Sequence, residues 1–242
     1  RTHAQSYDIP FLYVNHIGAQ TELIFDGGSC AIDAHGEKRL QLPYFEEAIT
    51  TYDTNELYQA KGAEQTPNIQ PPDKYERLYQ AIKLGVQDYF RKLNFEKAII
   101  GLSGGIDSGL TMALAAKALG PENVLGVLMP SPYTSQASID DAEALASNLG
   151  SPLKTINIEG LFQQYKEVLA PHFNGPEAGI AEENIQARGR SVLLMAISNK
   201  FGHILLNTSN KSEMAVGYST LYGDMCGGLS LIGDVYKTEA FE

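Results

Sequence analysis

Residues 99–120, IIGLSGGIDSGLTMALAAKALG, run from an apolar stretch through a corner of small residues into a segment with helical apolar spacing. The corner, Ser103-Gly104-Gly105-Ile106-Asp107-Ser108, joins a strand to a helix, and the chain beyond it repeats that alternation. KYERLYQAIKLGVQDYFRKLN places Tyr75, Leu78, Ile82, Val86, Tyr89 and Leu93 at helical spacing. Strand KAIIGL, helix 107–119, strand NVLGVLM, helix 138–149 and strand LKTINI follow, then helices near 159–170 and 183–200 and strand HILLNT. Continuous apolar strands between amphipathic helices predict an α/β fold, a doubly wound, mainly parallel sheet covered on both faces. Ligands of such sheets bind beyond the carboxyl ends of the strands, where this corner sits. Ser138 with Asp141 reads as the capping box of its helix, and Val192, Leu193, Met195, Ala196 and Ile197 read as core.

Residues 9–52 have another texture. FLYVNHIG, ELIFDGG and SCAIDAHGEKRLQL read as strands, punctuated by Gly27-Gly28 and by a turn at Asp33-Ala34-His35-Gly36, with no helix among them. Residues 53–73 are polar, carry three prolines by count and read as a linker. A formal net charge of -11 argues against a general nucleic-acid surface, so phosphate must be handled by a local site. Cys30 and Cys226 lack CxxC spacing, which argues against a zinc site or disulfide framework. No apolar run approaches the roughly 18 residues of a membrane span, and the first residues lack a signal-peptide core. A soluble, cytoplasmic protein is the expectation.

The corner is not a Walker A loop, because no lysine follows its second glycine, and G-x-G-x-x-G does not align on Gly101, Gly104 and Gly105. Small residues at a helix start let backbone amides approach an anion. The amides from Ser103 to Ser108 and the two hydroxyls suit a pyrophosphate cradle. Asp107 would repel phosphate unless a cation lay between them, so it suits Mg²⁺.

LSGGIDS resembles the PP-loop of the ATP pyrophosphatase superfamily, whose members split ATP into AMP and pyrophosphate. The resemblance implies a fold of the adenine nucleotide alpha hydrolase-like type. Three further blocks, LMPSPYTS (128–135), EENIQARGRSVLLMAISNK (182–200) and NTSNKSEMAVGYSTLYGDMCGGLSLIGDVYKTE (207–239), are together similar to the glutamine-dependent NAD synthetases. PFLYVNHIGAQTELIFDGGS (10–29) resembles the last part of a nitrilase-type amidase domain, which those enzymes carry at their N-terminus. The implied organisation is an incomplete amidase (glutaminase) domain over 1–52, a linker over 53–73 and a C-terminally incomplete synthetase domain over 74–242.

That family adenylylates the nicotinate carboxylate of deamido-NAD with ATP and displaces AMP with ammonia, drawn from glutamine in the full-length enzyme. The resemblance therefore implies ATP, deamido-NAD and ammonia or glutamine as small-molecule partners, Mg²⁺ as cofactor, no nucleic acid or membrane, and a homo-oligomer. Ser103, Gly104, Gly105, Ile106, Asp107 and Ser108 would hold ATP, together with Thr208 and Lys237. Asp107 and Glu213 would share Mg²⁺. Asn184, Arg188 and Asp224 would contact deamido-NAD, with Asp224 and Lys237 in catalytic positions. Ammonia-dependent relatives have Lys where Leu221 stands and an acid where Gly228 stands, so those two contacts do not carry over. The amidase Glu-Lys-Cys triad would lie upstream of Arg1, and Cys30 reads as a buried strand residue. The rival readings are another PP-loop amidotransferase, such as a GMP synthetase, and a non-catalytic nucleotide-binding fragment.

Overall fold

The computed structural model describes residues 1–20, 22–58, 69–173 and 179–242, and the chain divides into two units, Arg1–Tyr89 and Phe90–Glu242. The first unit holds helix α1 (Thr2–Tyr7) and strands β1 (Phe11–Tyr13), β2 (Ile17–Gln20), β3 (Leu23–Asp26), β4 (Cys30–Ile32) and β5 (Lys38–Gln41). Strands β1, β4 and β5 form one antiparallel sheet, and β2 pairs with β3. The expected turn at 33–36 joins β4 to β5. There the buried Asp33 carboxylate accepts the N–H groups of His35 at 2.9 Å and Glu37 at 2.8 Å, and Nε of Arg39 at 2.7 Å. Burial pushes this carboxyl up, but the three donors and the Arg39 charge outweigh it and hold the group below its ordinary range.

Helix α1 precedes residues 9–52, the stretch read as strands. Only Ala4 of it is buried, and Gln5 Nε2 donates to the His35 carbonyl at 2.8 Å, so a contact distant in sequence holds it. The stretch read as a linker contains a 3-10 turn, Thr54–Leu57, capped by Asp53, while its residues 59–68 lie outside the described residues. Cys30 is half-buried in β4 rather than buried. Helix α2 (Lys74–Leu93) has the predicted extent and runs across the division between the units.

In the second unit β6 (Ala98–Leu102) leads into α3 (Ile106–Leu119), and β7 (Val124–Leu128) into α4 (Gln136–Leu149). Strand β8 (Leu153–Thr155), helices α5 (Glu159–Leu169) and α6 (Ile180–Phe201), β9 (Ile204–Asn207), α7 (Lys211–Val216) and β10 (Leu229–Ser230) follow. The five strands pair in parallel in the order β10-β9-β6-β7-β8. The chain builds outward from β6 through β7 to β8, then returns to lay β9 on the other side of β6. That reversal opens a crevice above the carboxyl ends of β6 and β9.

Helices cover both faces, as predicted. A Cβ placed on Gly101 would meet Leu194 of α6 at 3.1 Å, whereas one on Gly126 would meet Met112 of α3 at 3.2 Å. Ile99, Leu125, Val127, Met129, Leu194 and Leu205 form a buried cluster on the α6 side.

Three local expectations are corrected. Helix α4 starts at Gln136, capped by Ser135, whose Oγ accepts the Ser138 N–H at 3.1 Å; Ser138 lies inside the first turn and caps nothing. On α6, Val192 is 60% exposed, Met195 is 38% exposed and Ala196 is exposed, so they are not core. Five apolar residues within one and a half turns cannot share a face. Ser191, Leu194 and Ser198 form the buried stripe, with Leu193 and Ile197 half-buried beside it. Strand β10 is too short to leave a signal in the sequence.

Candidate active site at the strand ends

At the corner, Gly104 takes φ 79° and lies so close to α4 that a Cβ there would sit 2.2 Å from the Ser138 carbonyl oxygen. Both the left-handed backbone and the contact require glycine. Gly105 is the N-cap of α3. The two expected hydroxyls meet each other, Ser103 Oγ to Ser108 Oγ at 3.1 Å, and Ser103 Oγ also accepts the Gly105 N–H at 3.2 Å. Ser108 is buried and its Oγ donates to the Gly105 carbonyl at 3.0 Å. These bonds stiffen the bend. The N–H groups of Ile106, Asp107 and Ser108 open α3 and have no carbonyl of their own helix to meet. They lie at the positive end of the helix dipole, and helix starts of this kind bind anions.

Asp107 enters this corner with two partners from far along the chain. Its Oδ1 accepts Asn210 Nδ2 at 3.2 Å, and its Oδ2 pairs with the ammonium of Lys237, 130 residues away. Asn210 is fully buried and also caps α7: its Oδ1 accepts the Glu213 N–H at 3.0 Å, and its own N–H donates to Glu213 Oε2 at 3.1 Å. The motif NKSE thus folds as a capping box with Asn210 as the cap. Lys237 is placed through its backbone N–H, which donates to Ser212 Oγ at 3.0 Å, and through buried Leu231, Ile232 and Val235 just before it.

Two carboxylates, Asp107 and Glu213, therefore hang on one buried asparagine. Each uses part of its lone-pair capacity there. A hard divalent cation such as Mg²⁺ takes one or two carboxylates and completes its shell with phosphate oxygens and water, so this donor set fits it.

The segment 217–228 arches beside the corner and is tied down from α6 and β9. Asn184 Oδ1 accepts the Thr220 hydroxyl at 2.7 Å, and Arg188 Nε donates to the Leu221 carbonyl at 3.1 Å. These two share a face of α6, as their spacing predicts. Ser191 Oγ donates to the Gly223 carbonyl, and Asp224 Oδ1 accepts the Thr220 N–H at 2.6 Å. Asn207, at the end of β9, donates Nδ2 to the Asp224 carbonyl at 2.7 Å and to the Cys226 carbonyl at 3.4 Å. Its Oδ1 accepts the Ser209 N–H at 2.8 Å and the Ser230 hydroxyl at 3.0 Å. Sequence reasoning passed over Asn207 and Asn210; the polar run NTSN directly after an apolar strand is the signal that marks them.

Between the corner and this segment lies a cavity of about 340 Å³, within the range of small-molecule sites. Ser103, Thr208 and Asp224, all expected at the site, line it. Asn184 and Arg188 do not; the residues of α6 that reach it are Ala187, Arg190, Ser191 and Leu194. Cys226 lines the cavity and packs on the buried cluster. Arg190 was also missed. Its Nε donates to the Met129 carbonyl at 3.4 Å, and burial pushes its guanidinium pKa down.

Residues 78–242 match the family model described as NAD synthase. The glutamine-dependent NAD(+) synthetase of Synechocystis sp. is 53% identical over 99% of this chain, and that of Rhodobacter capsulatus is 48% identical over 97%. The chain spans 43% and 42% of the length of these two relatives. Among solved structures, glutamine-dependent NAD+ synthetase from Acinetobacter baumannii in complex with ADP superposes with a TM-score of 0.92 at 40% identity, over 99% of this chain and 45% of that one.

Proposed function

The chain belongs to the NAD synthase family, and from that premise we propose that its second unit activates the nicotinate carboxylate of deamido-NAD with ATP and then amidates it. The products are NAD, AMP and pyrophosphate, with ammonia, or glutamine as its source, supplying the nitrogen. The observation that carries this reading is the meeting of Asp107, Lys237 and the capped Asn210–Glu213 turn at the α3 start, beside a nucleotide-sized cavity that begins at Ser103.

A carboxylate is a poor electrophile, and transfer of AMP to it creates a leaving group that ammonia can displace. The N–H groups of Ile106, Asp107 and Ser108 at the start of α3 bind the pyrophosphate end of ATP and keep it as charge develops on departure. The Lys237 ammonium, poised on Asp107, turns to the same phosphate oxygens and takes the place a Walker lysine holds elsewhere. Asp107 and Glu213 would hold Mg²⁺, which would supply positive charge to offset that of the triphosphate. Thr208 and the apolar wall of the cavity orient the nucleoside. Asn184, Arg188 and Asp224 hold or contact deamido-NAD through the 217–228 segment, and a closed site keeps water from the adenylate.

Residues 1–52 are read as the tail of a nitrilase-type glutaminase domain, 53–73 as a linker and 74–242 as the synthetase domain; the protein is read as cytoplasmic and homo-oligomeric. Incubation with Mg-ATP, deamido-NAD and ammonium, followed by assay of AMP and NAD, tests the activity. Equal amounts of the two products are expected. ATP cleavage that requires xanthosine monophosphate instead of deamido-NAD would replace this reading with the GMP synthetase one. Nucleotide binding without cleavage under any acceptor would refute it.

A further inference from the structure

The wall of the cavity beside the corner carries a cation that the resemblance does not explain. Arg190 lines the cavity together with Ser103, Thr134 and Thr208, and the surrounding surface is largely apolar, from Leu102, Leu128, Met129 and Leu194. Among the described residues no carboxylate pairs with its guanidinium; its one hydrogen bond is the Nε contact to Met129 O. Asp224 lines the same cavity, yet its carboxylate is engaged by the Thr220 N–H. A half-buried guanidinium with most of its five donors unspent is a cost to the fold, and an anion entering the cavity offsets it.

The position selects the anion. Ser103 belongs both to the corner and to the cavity wall. A nucleotide whose terminal phosphates lie on the α3 amides therefore sends its α-phosphoryl group and ribose into the cavity. Ser103, Thr134 and Thr208 offer neutral hydroxyls there, and Arg190 offers the charge.

We propose that Arg190 binds the α-phosphoryl group of the nucleotide and keeps its hold when that group becomes the phosphodiester of an acyl adenylate. This deepens the proposed activity and rests on it for the adenylate, though the phosphate contact stands without it. Arg188, two residues earlier and on the opposite side of α6, holds the 217–228 segment instead, so the two arginines divide the work.

AMP and adenosine separate the phosphate from the nucleoside. Ligand-observed NMR titrations of the whole chain with each ligand are compared for the native protein, Arg190→Gln and Arg190→Lys. Arg190→Gln is expected to weaken AMP about tenfold or more, the value of a charge-assisted bond, and to leave adenosine within about twofold. Arg190→Lys keeps the charge without the planar fork, gives a smaller loss in the same direction, and carries the comparison should the glutamine variant not fold.

Equal losses for both ligands would reduce Arg190 to a prop for Met129 and overturn the proposal. So would unchanged AMP affinity, or native protein that binds AMP no better than adenosine. Native protein that makes no NAD while Arg190 still discriminates AMP from adenosine would sink the synthetase reading and leave this contact standing.

Discussion

Asn207 is the residue on which the site's second wall depends, and its removal can be valued from its bonds. The side chain is 7% exposed and uses all four of its hydrogen-bonding positions. Three of those bonds are well formed, at 2.7, 2.8 and 3.0 Å, and the fourth, at 3.4 Å to Cys226, is marginal. At about 1 kcal/mol net for each good bond, Asn207→Ala should destabilise the second unit by about 3 kcal/mol. Asn207→Asp keeps the shape and both accepting contacts but turns a carboxylate oxygen onto the Asp224 carbonyl. Its carboxyl must then titrate above the unfolded value, so the folded state binds the extra proton first. The added penalty is therefore complete at pH 8 and shrinks as the pH falls toward the ordinary carboxylate range near about 4. Urea unfolding of the native protein and both variants at pH 8 and pH 5, with unchanged m, reads these numbers directly. An Ala variant within about 1 kcal/mol of native, or an Asp variant whose penalty is the same at both pH values, would refute the four-way pin. Hydrogen exchange should meanwhile quicken at residues 220–226, since their anchor is lost.

Gly104→Ala adds a Cβ against the Ser138 carbonyl at a φ of 79°; a loss of about 2 kcal/mol or more and weaker ATP binding are expected, by urea unfolding and calorimetry. Asp107→Asn and Lys237→Met alter partly exposed groups, so both variants should fold while pyrophosphate–ATP exchange falls roughly a hundredfold or more; native exchange rates in either would remove that residue from the phosphate site. The Asp33 carboxyl is held below its ordinary range, so its support for the first unit is full above the unfolded value near about 4 and is lost as pH falls through the folded one. Asp33→Asn should therefore flatten the acid limb of hydrogen-exchange protection in residues 30–41, and an unchanged limb would show that the carboxylate contributes nothing.

How much of this was legible follows from the range over which each signal acts. The alternation of apolar strands with amphipathic helices is local, and it carried the α/β class, the run of strands and helices from β6 to β9 and the position of the corner at a strand end. Ser103 to Ser108 were legible as a tight strand-to-helix bend because small residues there let the backbone turn close to its neighbours. Where a residue's role turned on a small rotation or a one-turn shift, sequence could not decide. Ser135 and Ser138 are both good caps, and only the actual path into α4 gives the N–H of residue 138 to Ser135. Val192 and Met195 are as apolar as Leu194, but one helix has one inward face.

The sequence by itself determined the layer architecture and the strand-to-helix bend, because those depend on periodicity and on residues adjacent in the chain. Tertiary structure decided which distant groups complete the site. The return of β9 beside β6 and the burial of Leu231, Ile232 and Val235 carry Asn210 and Lys237 to Asp107. The same packing sorts two arginines two positions apart, about 200° around a helix, into one that clasps a loop and one that faces the cavity. Periodicity records which side of an element is apolar; only strands laid in their actual order determine which polar groups meet above them.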